Sequence, residues 1–245
     1  MSARRRCAVD RGAAPDQSRR RGTMTRRGGR KTKKQKPTRR NWISAQTFQD
    51  VCELTAWWVE RGGYMPGYCA NEEVDDETKP IVADLARLNR AGFLTTCSQP
   101  GVEQGDYARR AFVEGIALEP TARTLSRLTL CTDLLVLAAP PECEVHSQIP
   151  VTREEQDDVV YPFSWCGALG PWDQQGFIEA CCPTAAADVQ RTWAVQVIDP
   201  QWGRERYLWE NVLPALRPEG IPSLLWRRLS ERPHPDLALD HDFAY

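Results

Sequence analysis

The stretch ETKPIVADLARLNRAGFLTTCSQP, from Glu77 to Pro100, reads as a helix delivered directly into a strand. Ile81, Val82, Leu85 and Leu88 recur at spacings of three and four, which places them on one face of a helix over Thr78–Ala91. Thr78 is placed to cap the first turn, Pro80 falls early enough to be tolerated there, and Gly92 supplies the stop. Phe93–Cys97 then has the β-branched and aromatic content of a strand, and Gln99-Pro100-Gly101 opens a turn-rich segment that runs to Gly105-Asp106.

Upstream, from Trp42 to Val59, the apolar residues Phe48, Val51, Cys52, Leu54, Trp58 and Val59 mark a second amphipathic helix, ended by Arg61-Gly62-Gly63. The acidic run Glu72-Glu73-Val74-Asp75-Asp76 between the two helices reads as a loop. Downstream, strands are expected at Ala111–Leu118, Leu134–Ala138, Val159–Trp165 and Trp193–Ile198, with helices around Pro120–Leu130 and Arg204–Leu216. Strict βαβ units are lacking. The expected fold is therefore α+β, a single mixed domain with helices packed on a mainly antiparallel or mixed sheet.

Charge divides the chain. Residues 1–40 hold sixteen basic side chains and two acidic ones, a net +14, so the formal −1 of the whole leaves −15 for residues 41–245. All nine Trp, six Tyr and six Phe lie in that acidic body. The expected organisation is a disordered basic tail over 1–40, an α+β ligand-binding domain over 41–220, and a Pro-rich C-terminal extension over 221–245. The tail is the one segment suited to nucleic acid, as an arm along phosphates. Met24 is an alternative start, and beginning there reduces the tail to +9.

No run of about eighteen apolar residues exists to span a membrane, and no apolar stretch of roughly 7–15 residues follows the first basic residues as in a secretory signal. Nine Cys without a CxxC pair, alongside three His, suggest neither a disulfide framework nor a zinc site. Reduced thiols and a cytoplasmic location are expected. The vicinal Cys181-Cys182 reads as the close of a short helix. There is no GxGxxG, no GxxxxGK[ST] and no GxSxG, and His146, His234 and His241 have no patterned nucleophile beside them.

The chemistry on offer is a polar cluster at the helix–strand junction. Asp76, Glu77 and Thr78 open the helix, and Thr95, Thr96, Ser98 and Gln99 follow Gly92. If the two elements pack as neighbours, these hydroxyls and carboxylates converge on one small pocket, suited to a ligand that carries hydroxyl and amino groups. The plainer alternative is capping by Thr78 and turn hydrogen bonds by Ser98 and Gln99.

The pattern E-T-x-x-I-x-x-x-L-x-x-L-N-R-x-G-F-L-T-x-x-S-Q-P, from Glu77 to Pro100, resembles the opening of the S-adenosylmethionine-binding regulatory domain of eukaryotic methylenetetrahydrofolate reductase. Gly105-Asp106-Tyr107 through Glu114, Ala194–Asp199 and Leu208–Val212 follow in the family's order, so the resemblance covers roughly 48–217. The chain is similar, too, to stand-alone actinobacterial proteins that share its N-R-A-G-F and S-Q-P-G elements. No counterpart of the reductase's catalytic barrel is expected, because the residues before Glu77 are too few for a fold of about 200 residues or more.

The resemblance implies a non-enzymatic binding or sensor protein for S-adenosylmethionine, S-adenosylhomocysteine or a related adenosine ligand, acting through a protein partner and requiring no cofactor. Carried over by position, Glu77, Thr78, Thr95 and Ser98 match ligand-contacting residues, and Ser164 is the counterpart of a family threonine. The family's glycine-rich insertion after S-Q-P is shortened to Gly101–Gly105, and its G-Y-V-Y becomes Gly105-Asp106-Tyr107-Ala108. Two alternatives stand beside this one. The first is a small enzyme acting on such a nucleoside, with Glu77 or Glu114 as acid/base. The second is a nucleic-acid-associated protein that uses residues 1–40.

Overall fold

In a computed structural model, residues 36–67, 73–156, 159–170 and 175–217 are described. The expectations for residues 1–35, for the extension from 218 onward, for His234 and His241, and for Glu72 in the acidic loop lie outside the described residues. Arg39–Ile43 forms α1, so Arg39 and Arg40, which charge alone groups with the tail, belong to the folded body. Pro37 is buried, and its carbonyl accepts from Tyr64 N at 3.1 Å.

Helix α2, Phe48–Arg61, starts six residues after Trp42 because Thr47 caps it. The Thr47 hydroxyl accepts from Asp50 N at 3.2 Å, while Asp50 Oδ2 accepts from Thr47 N at 3.0 Å, a reciprocal box that fixes the first turn. The helix expected over Thr78–Ala91 divides in two, a 3₁₀ turn over Asp76–Ile81 and then α3 over Val82–Arg90. Pro80 sits inside the 3₁₀ turn, where it has no N–H to give and its ring opposes α-helical packing. Thr78 therefore caps nothing. Gly92, at φ +83°, ends α3 as expected.

The remaining elements follow in order: β1 Phe93–Gln99, β2 Val102–Gln104, β3 Tyr107–Ala117, α4 Glu119–Ser126, α5 Leu128–Cys131, β4 Leu135–Ala139, β5 Ile149–Gln156, β6 Val159–Cys166, α6 Gln175–Cys181, α7 Ala186–Val189, β7 Trp193–Trp202 and α8 Tyr207–Ala215. All the strand pairings are antiparallel. The eleven residues of β3 organise the sheet. One edge of β3 carries β1 and then β2, and the other carries β7, continued by β4, and then β5, continued by β6.

Phe93, Val113, Ala117, Val195 and Val197 point from the sheet into the main core, where Val51, Leu54, Leu85, Leu88, Leu125, Leu208 and Trp209 of the helices meet them. The opposite face carries a smaller cluster of Phe112, Val151, Cys166 and Ile198. The fold is thus α+β in one domain, with helices on one face of a curled antiparallel sheet. Among the described residues no helix is long and apolar enough to cross a membrane.

Candidate ligand-binding site

In a regular strand, residues three apart point to opposite faces. In β1 Thr95 pairs with Gly115 and Cys97 with Glu114, so two steps on β1 match one on β3 and Thr96 is an extra, bulged residue. Beyond the bulge the parity is inverted. Thr95 and Ser98, whose partners Gly115 and Val113 are two apart on β3, consequently share the face turned toward α2 and α3. Cys97, opposite Glu114, faces the other way.

Asn89, on the last turn of α3 and fully buried, fixes this arrangement. Its Oδ1 accepts from Thr95 N at 3.1 Å, and its Nδ2 donates to Thr95 Oγ1 and Leu85 O, each at 2.8 Å. The Thr95 oxygen is thereby used as an acceptor, and the hydroxyl proton is left to donate elsewhere.

A cavity of about 230 Å³ opens between β1, the 3₁₀ turn and α2. Trp58, Val59, Met65 and Leu85 supply its apolar wall, and Glu73, Asp75, Thr78, Thr95 and Ser98 its polar one. Three of the five residues singled out from sequence, Thr78, Thr95 and Ser98, are thus brought together. Neither the Thr78 nor the Ser98 hydroxyl has a hydrogen-bond partner among the described residues. Gln99, expected to serve a turn, instead donates across the sheet to Arg110 O at 2.9 Å and Val151 O at 2.8 Å.

The other two are elsewhere. Glu77 is exposed, does not line the cavity, and is ion-paired with Arg109 of β3, whose guanidinium also lies 5.1 Å from the Tyr107 ring centroid. Its place as the acidic wall is taken by Asp75 and Glu73, the latter 3.5 Å from Lys36 Nζ. Ser164 sits on β6 and donates to the buried Thr152 of β5, outside the cavity.

A second polar centre, which sequence alone does not assemble, occupies the far face. Glu114 on β3 and Gln196 on β7 are opposite one another, and Gln196 Nε2 donates to Glu114 Oε2 at 2.6 Å. Gln196 Oε1 in turn accepts from Gly167 N at 2.7 Å, tying the segment after β6 over the sheet. Two adjoining clefts, of about 380 and 680 Å³, share Glu114, His146 and Ala168, and Thr96 lines both the smaller cleft and the first cavity. Burial pushes the Glu114 carboxyl above the usual carboxylate range, against the opposing effect of the Gln196 hydrogen bond. His146 is exposed and lies 3.1 Å from Glu144.

The cysteines near this face are protonated thiols. Burial and the nearby Glu114 charge push Cys166 up to about 12, and burial likewise raises Cys97. Cys181 ends α6 and Cys182 is buried behind it, with burial pushing its thiol up to about 12. Among the described residues no group of three or more His, Cys, Asp or Glu is arranged to hold a metal ion.

A family model described as a domain of unknown function (DUF6919) matches residues 37–219, a span that contains the cavity, the far-face clefts and every element named above. No curated protein matches the chain.

Proposed function

The chain belongs to this family, and we propose that it is a non-enzymatic binding protein for S-adenosylmethionine, S-adenosylhomocysteine or a related adenosine ligand, held in the cavity between β1 and α2. The observation that carries the proposal is the pair of hydroxyls, Thr78 and Ser98, that line one cavity without a partner among the described residues. Two hydroxyls and the donating Thr95 match the many acceptors and donors of a ribose and an amino-acid group. Trp58 and Leu85 offer an apolar surface to a purine, and Asp75 a carboxylate to ribose hydroxyls or a ligand cation.

The size of the cavity restricts how such a ligand lies. About 230 Å³ is below the ~300–1,000 Å³ usual for small-molecule sites, so it holds one half of the ligand. Thr96 also lines the cleft of about 380 Å³ on the far face, the space this reading assigns to the other half. Occupancy then acts on a partner protein to the extent that the two binding states differ in affinity for it. A cytoplasmic setting accords with the nine cysteines, which there remain reduced.

Titration calorimetry of the full chain with each ligand tests the proposal. Binding is expected for wild type, with at least tenfold weakening in Ser98→Ala and in Thr78→Val. Absence of heat at millimolar ligand, or unchanged affinity in both variants, overturns it.

One observation favours a second reading, a small enzyme acting on the same nucleoside. Glu114, with its raised pKa, lines a cleft that shares the residue Thr96 with the first cavity, the setting of a general acid or base. Chromatography of S-adenosylmethionine after prolonged incubation separates the two, since turnover abolished by Glu114→Gln supports the enzyme and intact ligand supports the sensor.

A further inference from the structure

Beside the cavity and the clefts, the described residues hold a cluster made only of donors. It lies where the second edge of β3 changes partner. Arg110 pairs with Trp202 of β7, and Ala108, two residues earlier on the same face, pairs with Arg153 of β5. Both guanidiniums stack on the same indole, with Arg110 Cζ 4.2 Å and Arg153 Cζ 4.7 Å from the Trp202 ring centroid. Their charges are therefore no farther apart than the sum of those two distances.

A guanidinium has five N–H donors and an indole one, and neither group has an acceptor. Arg110 donates Nη1 to Pro150 O at 2.8 Å, and its buried Nε has no hydrogen-bond partner. Arg153 and the Trp202 N–H make no hydrogen bond to any described residue, and no described carboxylate comes within 4 Å of either guanidinium. Asp199, the acid whose charge reaches Arg110, is already gripped by Arg204 through both oxygens at 2.6 Å. Burial and the Arg153 charge accordingly push the Arg110 pKa down. Two cations without a counter-ion among the described residues stand out in a body whose net charge is −15.

We propose that Arg110, Arg153 and the Trp202 N–H form a binding site for a small oxyanion, a carboxylate or a phosphate. Such a ligand carries acceptors alone, accepts from planar guanidinium forks in pairs, and supplies the negative charge that the cluster lacks. The two arginines are half-buried, which keeps the pair accessible while excluding part of the surrounding water. The acidic body repels long polyanions and leaves small ones favoured. None of the three residues lines the cavity between β1 and α2, so the site stands independently of the nucleoside proposal.

The test measures the full chain by calorimetry and by thermal unfolding in inorganic phosphate, acetate and chloride at matched ionic strength. Phosphate or acetate is expected to bind and to raise the unfolding midpoint above that in chloride. Arg153→Gln is expected to weaken that binding at least tenfold and to leave the midpoint in chloride unchanged. Arg110→Gln is expected to weaken it as well, and because Arg110 holds Pro150 its loss can disturb the fold, so Arg153→Gln is the decisive variant. A response to phosphate alone identifies a phosphate site, and a response to acetate alone a carboxylate site. A wild type indifferent to both relative to chloride, or an Arg153→Gln protein that responds as wild type does, overturns the proposal.

Discussion

Thr95 and Ser98 stand side by side on the helix-facing side of β1 although they are three positions apart in sequence, because the bulge at Thr96 inverts the strand's parity between them. The two hydroxyls nevertheless differ in what they do. Thr95 is built into the fold through Asn89, whereas Ser98 has no hydrogen-bonded side-chain partner among the described residues. Thr95→Val strands one buried N–H of Asn89 and is expected to cost about 1–3 kcal/mol, with Thr95→Ser restoring most of it. Ser98→Ala is expected to change stability by no more than about 0.5 kcal/mol. Urea unfolding of the three variants measures both, and a destabilised Ser98→Ala protein would count against the separation of roles.

The same bulge brings two backbones unusually close. A Cβ built on Gly115, opposite Thr95, falls 2.1 Å from Leu94 O and 2.9 Å from its carbonyl carbon, atoms of the main chain that cannot rotate aside. Gly115→Ala must therefore part β1 from β3 at the register that places Thr95. The expected cost is about 1–3 kcal/mol. Because the shift falls on the cavity wall, ligand affinity should drop with stability, and hydrogen exchange of the β1 amides locates the loosening. An alanine variant with wild-type stability and exchange would contradict the contact.

What could be read from sequence, and what could not, follows from the range of the interactions. The helix–strand junction was legible because its signals are local, an apolar period of three and four and a terminating Gly92. The bulge was not, since Thr95-Thr96-Cys97-Ser98 has the composition of a regular strand and only the register against β3 reveals the extra residue. The place of Glu77 is hidden for a similar reason, since it is paired with Arg109, 32 residues away. Likewise Glu114 finds its partner Gln196 only through the pairing of β3 with β7, 82 residues apart. Strand β5 is not legible in the sequence because Pro150 and the charged Arg153-Glu154-Glu155 hide its alternation, and its stability comes from its neighbours β3 and β6.

Glu114 gives the fold a predictable pH dependence. Its carboxyl titrates above the ordinary value in the folded chain because burial disfavours the anion. The folded state then holds a proton that the unfolded state has released, so this residue's contribution is fully present below the unfolded pKa and is lost as pH rises through the folded one. Relative to Glu114→Gln, wild type is expected to lose stability from about pH 4.3 upward and then level off. Gln196→Leu, which removes a donor that favours the anion, should move the loss to higher pH. Carboxyl carbon NMR titration with unfolding curves at several pH values checks the sign, and stability that rises over this window relative to Glu114→Gln would refute it.

Arg204 anchors the turn after β7 to the start of α8. Its Nε and Nη2 each lie 2.6 Å from one oxygen of the fully buried Asp199, its Nη2 also reaches Asp133 at 3.0 Å, and its guanidinium stacks 3.6 Å from the Tyr207 ring centroid. Removing one member of such a pair costs more than removing both, because the remaining charge is left in the interior without compensation. Arg204→Met is therefore expected to destabilise the chain by about 3–5 kcal/mol, and Asp199→Asn added to it should recover part of that loss. The loss should also be insensitive to salt, since a buried pair is poorly screened. A double-mutant cycle by urea unfolding at low and high ionic strength checks both statements. Additive single-variant effects, or a pair that weakens in salt, would show that Arg204 acts through its exposed contact with Asp133 instead.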